Sequence, residues 1–169
     1  MITIAIVGPE STGKSTLAQT LATYYGTVSV PEYSREFLTD LGRPYRQEDL
    51  LTIAKGQLES EKIYRKRANE RLILDTDLFV IKVWSEFKYG NCDPFILQLL
   101  QMNLADFYLL TSPDIPYEDD PLRESPNDRG RLFDIYHQEL VEANVSFKVV
   151  QGSPEYRLRQ SIKAISEVI

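Results

Sequence analysis

Residues 8 to 16 read Gly-Pro-Glu-Ser-Thr-Gly-Lys-Ser-Thr, a run that spaces two glycines, a lysine and a hydroxyl as binding of a polyphosphate requires. The glycines let the backbone wrap an anion, so that successive N–H groups and the positive end of a following helix point inward at it. Gly8, Glu10, Ser11, Thr12, Gly13, Lys14, Ser15 and Thr16 are the expected contacts to ATP. Lys14 suits the terminal phosphates, where its charge stabilises a phosphoryl group in transfer, and Ser15 supplies a hydroxyl to Mg2+. Thr16, last in the run, also supports the first helical turn.

Acidic residues at the ends of apolar runs are the next candidates. Asp75 closes Leu72-Ile-Leu and is expected at the metal with Ser15, because a buried strand does not favour a carboxylate without a partner. Glu32 follows Thr27-Val-Ser-Val-Pro31, with Arg35 three residues on. A hydroxyl acceptor must lose its proton as the phosphorus–oxygen bond forms; Glu32 is the first choice for that base and Asp77 the second. Both have an alternative reading as the cap of a following helix. Arg123 and Arg129, with Arg131 close behind, carry planar donors suited to the equatorial oxygens of the moving group, or else form surface ion pairs. Glu118, Asp119 and Asp120 suit ribose hydroxyls or loop solvation, and Tyr117 suits stacking on a ring. Trp84, at helical spacing with Val80, Ile81 and Phe87, reads as core, and His137 reads as packing or solvent.

These residues need a frame of strands and helices. Ile2–Val7 is a β-branched apolar run bounded by Gly8-Pro9, as a strand buried on both faces would be. Helical spacing follows over 14–25 and stops at Gly26. Further strands are expected at 27–30, 72–75, 107–110 and 147–150. Helices are expected at 47–71, 77–87, 94–103 and 131–143, with a last one opened by Ser153-Pro154. Alternation of this kind predicts an α/β fold, a doubly wound five-stranded parallel sheet flanked by helices, as one domain over 1–169. Residues 112–130, with four prolines, break the alternation and are expected to form a lid. The cluster Lys62, Arg65, Lys66, Arg67 and Arg71, interspersed with Glu59, Glu61 and Glu70, reads as a solvated helix face.

The 169 residues carry a net charge of −6, which repels a nucleic-acid backbone or an anionic membrane, so a small, specific ligand is the expected partner. Cys92 is the sole cysteine, which excludes an intrachain disulfide and fits a reducing cytoplasm. Met1–Val7 is too short for a secretory signal, and no apolar run approaches the ~18 residues of a membrane span. Oligomeric state stays open.

Four segments together resemble the ribosylnicotinamide kinase domain of the NadR-type proteins. They are the run at 8–16, Pro-Glu-Tyr-Ser-Arg-Glu at 31–36, Asp-Thr-Asp at 75–77 and Ser-Pro-Asp-Ile-Pro-Tyr-Glu-Asp-Asp-Pro-Leu-Arg at 112–123. The resemblance implies transfer of the terminal phosphate of ATP to the 5′-hydroxyl of nicotinamide riboside, giving nicotinamide mononucleotide. It implies that Gly13, Lys14 and Ser15 bind ATP and Mg2+ and that Asp75, Asp77, Glu32 and Arg35 face metal or riboside. The family's longer members begin with a nucleotidyltransferase domain whose signature needs paired histidines, so no adenylyl transfer is expected of this chain. Tyr117 stands where the family would place tryptophan. The rival readings are a kinase of another small nucleoside or of a polynucleotide 5′ end, and a regulatory ATPase.

Overall fold

A computed structural model describes residues 1–168. Along the chain run β1 (Ile2–Val7), α1 (Lys14–Tyr25), β2 (Ser29–Val30), α2 (Tyr33–Asp40), α3 (Gln47–Arg65), β3 (Arg71–Asp75), α4 (Leu78–Tyr89), α5 (Pro94–Met102), β4 (Phe107–Thr111), α6 (Arg129–Glu142), β5 (Phe147–Val150) and α7 (Pro154–Val168). The strands form one five-stranded sheet in the order β2-β3-β1-β4-β5, every pair parallel. The expected α/β class and strand number are therefore what the chain adopts.

Parallel pairing with helical crossovers buries both faces of β1, and period-2 alternation divides its residues between two cores. Ile4 and Ile6 pack with Leu17, Leu21, Ile73, Leu109 and Ile165 beneath α1 and α7. Ala5 and Val7 belong to the larger core on the opposite face, with Leu50, Ile53, Leu74, Phe79, Tyr108 and Leu140. α1 ends where Gly26, at φ 61°, turns its N–H back to the carbonyls of Ala22 and Thr23. No helix among the described residues is long and apolar enough to cross a membrane.

Several boundaries differ from expectation: β2 is only Ser29–Val30 where 27–30 was expected, and α4 runs to Tyr89 in place of 87. α3 stops at Arg65, six residues before the expected end, because Asn69 leaves the helix to bond Thr27 Oγ1 (3.2 Å) and the carbonyl of Gly26, which aligns the chain for β3. Arg71 is thus a strand residue, stacked over the Tyr25 ring at 4.7 Å. α2, a helix for which the sequence suggested no span, directly follows Glu32. α6 starts at Arg129, two residues early. The expected solvated face of α3 is not uniform either: Lys62, Arg65, Lys66 and Arg67 are exposed, whereas Glu61 is 8% exposed. Burial, with the nearby Asp77 charge, pushes its carboxyl up to about 7.

Candidate functional site

A cleft of about 380 Å3 opens at the carboxyl ends of the strands, where ligands gather in open parallel sheets. Its floor is the loop from Gly8 to Gly13. A Cβ at Gly8, where φ is 139°, would lie 2.5 Å from Thr111 Oγ1 and 2.9 Å from the Thr111 carbonyl oxygen, so only glycine lets β1 leave the sheet this close to β4. Gly13 has φ 76° and Ser11, without a glycine's freedom, φ 55°. Thr12 is fully buried, and its hydroxyl bonds Pro9 O and Thr111 Oγ1, both at 2.7 Å.

Lys14 donates to the Pro9 carbonyl at 2.6 Å. Burial lowers its pKa, against the pull of Glu32, Asp75 and Glu10. Asp75 is 7% exposed and its Oδ1 has no hydrogen-bond partner. Burial raises its pKa, while the neighbouring Ser15 hydroxyl lowers it. A buried, unpartnered carboxylate oxygen beside a serine hydroxyl and a phosphate loop is the donor chemistry a hard cation such as Mg2+ takes. Among the described residues no group of three His, Cys, Asp or Glu could hold a metal ion.

Glu32 also lines the cleft, near enough to Lys14 and Asp75 for its charge to act on both. It occupies the cap position of α2 without capping it; its carboxylate accepts from Ser34 Oγ at 2.8 Å and lies 3.7 Å from Arg35 Nε. Arg35 reaches on to Asp120 at 2.9 Å. Asp77 behaves differently. It is 3% exposed, outside the cleft lining, and its Oδ1 accepts from Phe79 N–H at 2.9 Å, so its side chain caps α4. Burial pushes its carboxyl up to about 6.

The wall beside Glu32 is apolar and aromatic, formed by Leu38, Val80, Trp84, Phe87, Leu132 and Tyr136. Trp84 is thus cleft wall, not closed core, and its indole N–H donates to the Tyr45 hydroxyl at 2.9 Å. Only Ile81 of its helical companions is buried, at 4% exposure. His137 is exposed, edge-on to Phe147 at 5.2 Å.

Residues 112–128 cross the mouth as an irregular strap. Arg123 and Glu118 line the cleft, whereas Tyr117, Asp120 and Arg129 do not. Arg129 donates to the carbonyls of Ser11 and Ile115, each at 3.0 Å, and its guanidinium lies 5.5 Å from the Tyr117 ring. Tyr117 is therefore engaged by Arg129 at the start of α6 and by Arg123 of the strap, at 6.0 Å. Arg131 stacks on Phe87 at 5.1 Å. The important side chain that the sequence did not single out is Arg157 of α7, 3% exposed. It donates to the carbonyls of Gly152 (2.9 Å), Ser112 (2.9 Å) and Thr12, and pairs with Asp114.

Sheet order, phosphate loop and strap define the fold of the P-loop kinases. Residues 3–157 match the family described as an AAA domain, and the chain belongs to it. The chain is 29% identical over 174 residues to the trifunctional NAD biosynthesis/regulator protein NadR of Escherichia coli (strain K12), and equally to that of Salmonella typhimurium. Each alignment takes in 99% of this chain and 42% of the relative, so the chain spans about two fifths of those proteins' length. A NadR protein crystallised in complex with NR superposes with a TM-score of 0.80 at 21% identity, covering 99% of this chain and 51% of that one. Thymidylate kinase from Ehrlichia chaffeensis gives 0.72 at 14% identity, covering 97% and 98%. These structural likenesses bear on the fold.

Proposed function

We propose that the chain transfers the terminal phosphoryl group of ATP to the 5′-hydroxyl of a nucleoside, and that this nucleoside is nicotinamide riboside, giving nicotinamide mononucleotide for NAD salvage. The observation that carries the reading is one cleft that brings Lys14, Ser15 and the loop amides together with Glu32 and an aromatic wall. A phosphate donor and a flat, ribose-bearing acceptor fit together in it. Likeness to NadR over nearly the whole chain supports the choice of acceptor.

In this reading the loop amides and Lys14 bind the β- and γ-phosphates, and Lys14 exchanges its bond to Pro9 for phosphate oxygens. Ser15 and Asp75 would hold Mg2+, which when bound neutralises charge on those oxygens. Glu32 accepts the 5′-hydroxyl proton as that oxygen bonds to the γ-phosphorus and the bridging bond to ADP breaks. Its 3.7 Å approach to Arg35 keeps the carboxylate aimed at the acceptor end. Arg123 brings a guanidinium to the cleft from the strap. Asp77 supports α4 and takes no part in proton transfer. The reaction is phosphoryl transfer alone, in the cytoplasm where ATP is made available, with a small molecule as partner.

The test is a panel of nucleosides incubated with Mg·ATP and the protein, with phosphorylated products separated by chromatography. Nicotinamide riboside is expected to give its 5′-phosphate. Phosphorylation of another nucleoside in its place refutes the acceptor, and ADP formation that no nucleoside raises above background refutes the kinase in favour of an ATPase.

A further inference from the structure

Two consecutive strap amides converge on one carboxylate of the phosphate loop. Glu124 N–H donates to Glu10 Oε2 at 3.1 Å, and Ser125 N–H donates to Glu10 Oε1. Two adjacent backbone N–H groups on the two oxygens of one carboxylate make a bidentate, charge-assisted grip. Here the anion comes from the chain itself, from a position 114 residues away from Glu124. An acid inside a phosphate loop opposes polyphosphate binding unless its charge is directed elsewhere. Glu10 directs it at the strap.

Glu124 is gripped from the other side too. Its carboxylate accepts from Lys88 Nζ at 3.0 Å and from the Tyr45 hydroxyl, which also receives the Trp84 N–H of the aromatic wall. The residue before it, Arg123, lines the cleft. The next loop residue repeats the arrangement: Ser11 Oγ accepts from Glu118 N–H at 2.8 Å. The strap is thus docked on loop positions whose backbone would answer to bound phosphate.

We propose that Glu10 is a positioning residue that clasps the strap onto the phosphate loop, keeps Arg123 over the transferred group and shuts water out of the cleft. This deepens the kinase reading and rests on it. With the strap clasped, the acceptor oxygen bonds to the γ-phosphorus, the bridging bond to ADP breaks and the hydroxyl proton goes to Glu32. With it released, a water oxygen takes the acceptor's place and the products are ADP and inorganic phosphate.

Glu10→Gln and Glu10→Ala of the full chain test this in two ways. Hydrogen exchange with Mg·AMP-PNP present is expected to quicken roughly tenfold at the Glu124 and Ser125 amides in Glu10→Ala, less in Glu10→Gln, while β1 amides stay protected and show the variants folded. With Mg·ATP and nicotinamide riboside, the ratio of inorganic phosphate to phosphorylated nucleoside is expected to rise roughly tenfold, since losing a charge-assisted bond costs about one decade in an equilibrium. A merely structural role would lower both fluxes together and leave their ratio alone. Unchanged exchange at the two amides overturns the clasp, and an unchanged ratio overturns its role in excluding water. The exchange arm needs no acceptor, so a parent protein that phosphorylates no nucleoside refutes the kinase reading separately.

Discussion

Replacing Arg157 by methionine keeps most of the side chain's volume and removes its charge. The guanidinium serves four acceptors, the carbonyls of Thr12, Ser112 and Gly152 and the Asp114 carboxylate, while only 3% exposed. Deleting one partner of a buried charged pair typically costs ~3–5 kcal/mol, because the acceptors left behind are unpaired. Gly152 and the loop lie at the cleft, where water can reach some of those carbonyls, so the low end, about 3 kcal/mol, is the expectation. With a urea slope of ~2 kcal/mol/M, the midpoint should fall by about 1.5 M. A catalytic effect should accompany it. In a trans peptide the C=O of Thr12 and the N–H of Gly13 point in opposite directions, so a guanidinium holding that carbonyl aims the amide into the phosphate cup. KM for ATP is therefore expected to rise about tenfold, with a smaller fall in turnover at saturating ATP. Arg157→Lys should recover part of the stability and little of the KM, since an ammonium cannot span four separated acceptors. A midpoint shift below about 0.3 M in Arg157→Met, with KM unchanged, would refute the reasoning.

Lys14→Ala should abolish product formation, whereas Glu32→Ala should slow turnover by about 10²-fold or more with KM for ATP nearly intact; full activity in the glutamate variant would remove Glu32 as the base. Glu61 carries a pH prediction: its carboxyl is raised from 4.5 to about 7 in the folded chain, so it contributes stability that is complete below pH ~4.5 and lost as pH rises through about 7. Glu61→Gln should flatten that loss and stabilise the protein at pH 8 by up to about 3 kcal/mol; denaturant midpoints at pH 5 and 8 that shift equally in both proteins would show the carboxyl is not the cause. Gly8→Ala forces a Cβ to within 2.5 Å of Thr111 Oγ1 and should abolish Mg·ATP binding, as read by calorimetry, while normal affinity would mean the loop adjusts freely.

The phosphate-loop side of the site was legible because its residues are contiguous or lie at a strand end: the run 8–16 and Asp75, which like Asp77 stands outside the cleft lining, both follow apolar strands that periodicity reveals. Arg157 and Glu61 escaped for a shared reason. Both stand in buried helical stripes, Arg157 with Ser161, Ala164 and Ile165, and Glu61 with Leu50, Ile53, Ala54 and Gln57. Tracing apolar residues alone skips a polar residue that keeps their register, although that register is itself the signal that it is buried and must find partners. Trp84 shows the converse, for its stripe faces a cavity and periodicity cannot distinguish a cleft wall from a filled core. Asp77 was ambiguous between cap and base, and only burial with the Phe79 N–H decides its geometry. Contacts of the strap with Glu10, Arg35 and Lys88 join residues that no local pattern relates.

The two halves of the cleft are held by different forces, and this assigns them different jobs. Parallel register fixes the phosphate-loop side: Ile6 pairs with Asp75 and Val7 with Leu110, so the Asp75 carboxylate and the loop leaving β1 are set by sheet hydrogen bonds among buried residues. Such a frame opens only with global unfolding. Arg123 and Glu118 instead come from a strap attached through the paired amides on Glu10, the Glu118 amide and side-chain pairs, several of the latter exposed, including Glu124 with Lys88 and Asp120 with Arg35. Bonds of that kind are individually weak and exchange readily with water. In the proposed kinase reading a polyphosphate would therefore meet a preformed cup, while the acceptor side would open to admit one nucleoside and close before the phosphoryl group moves.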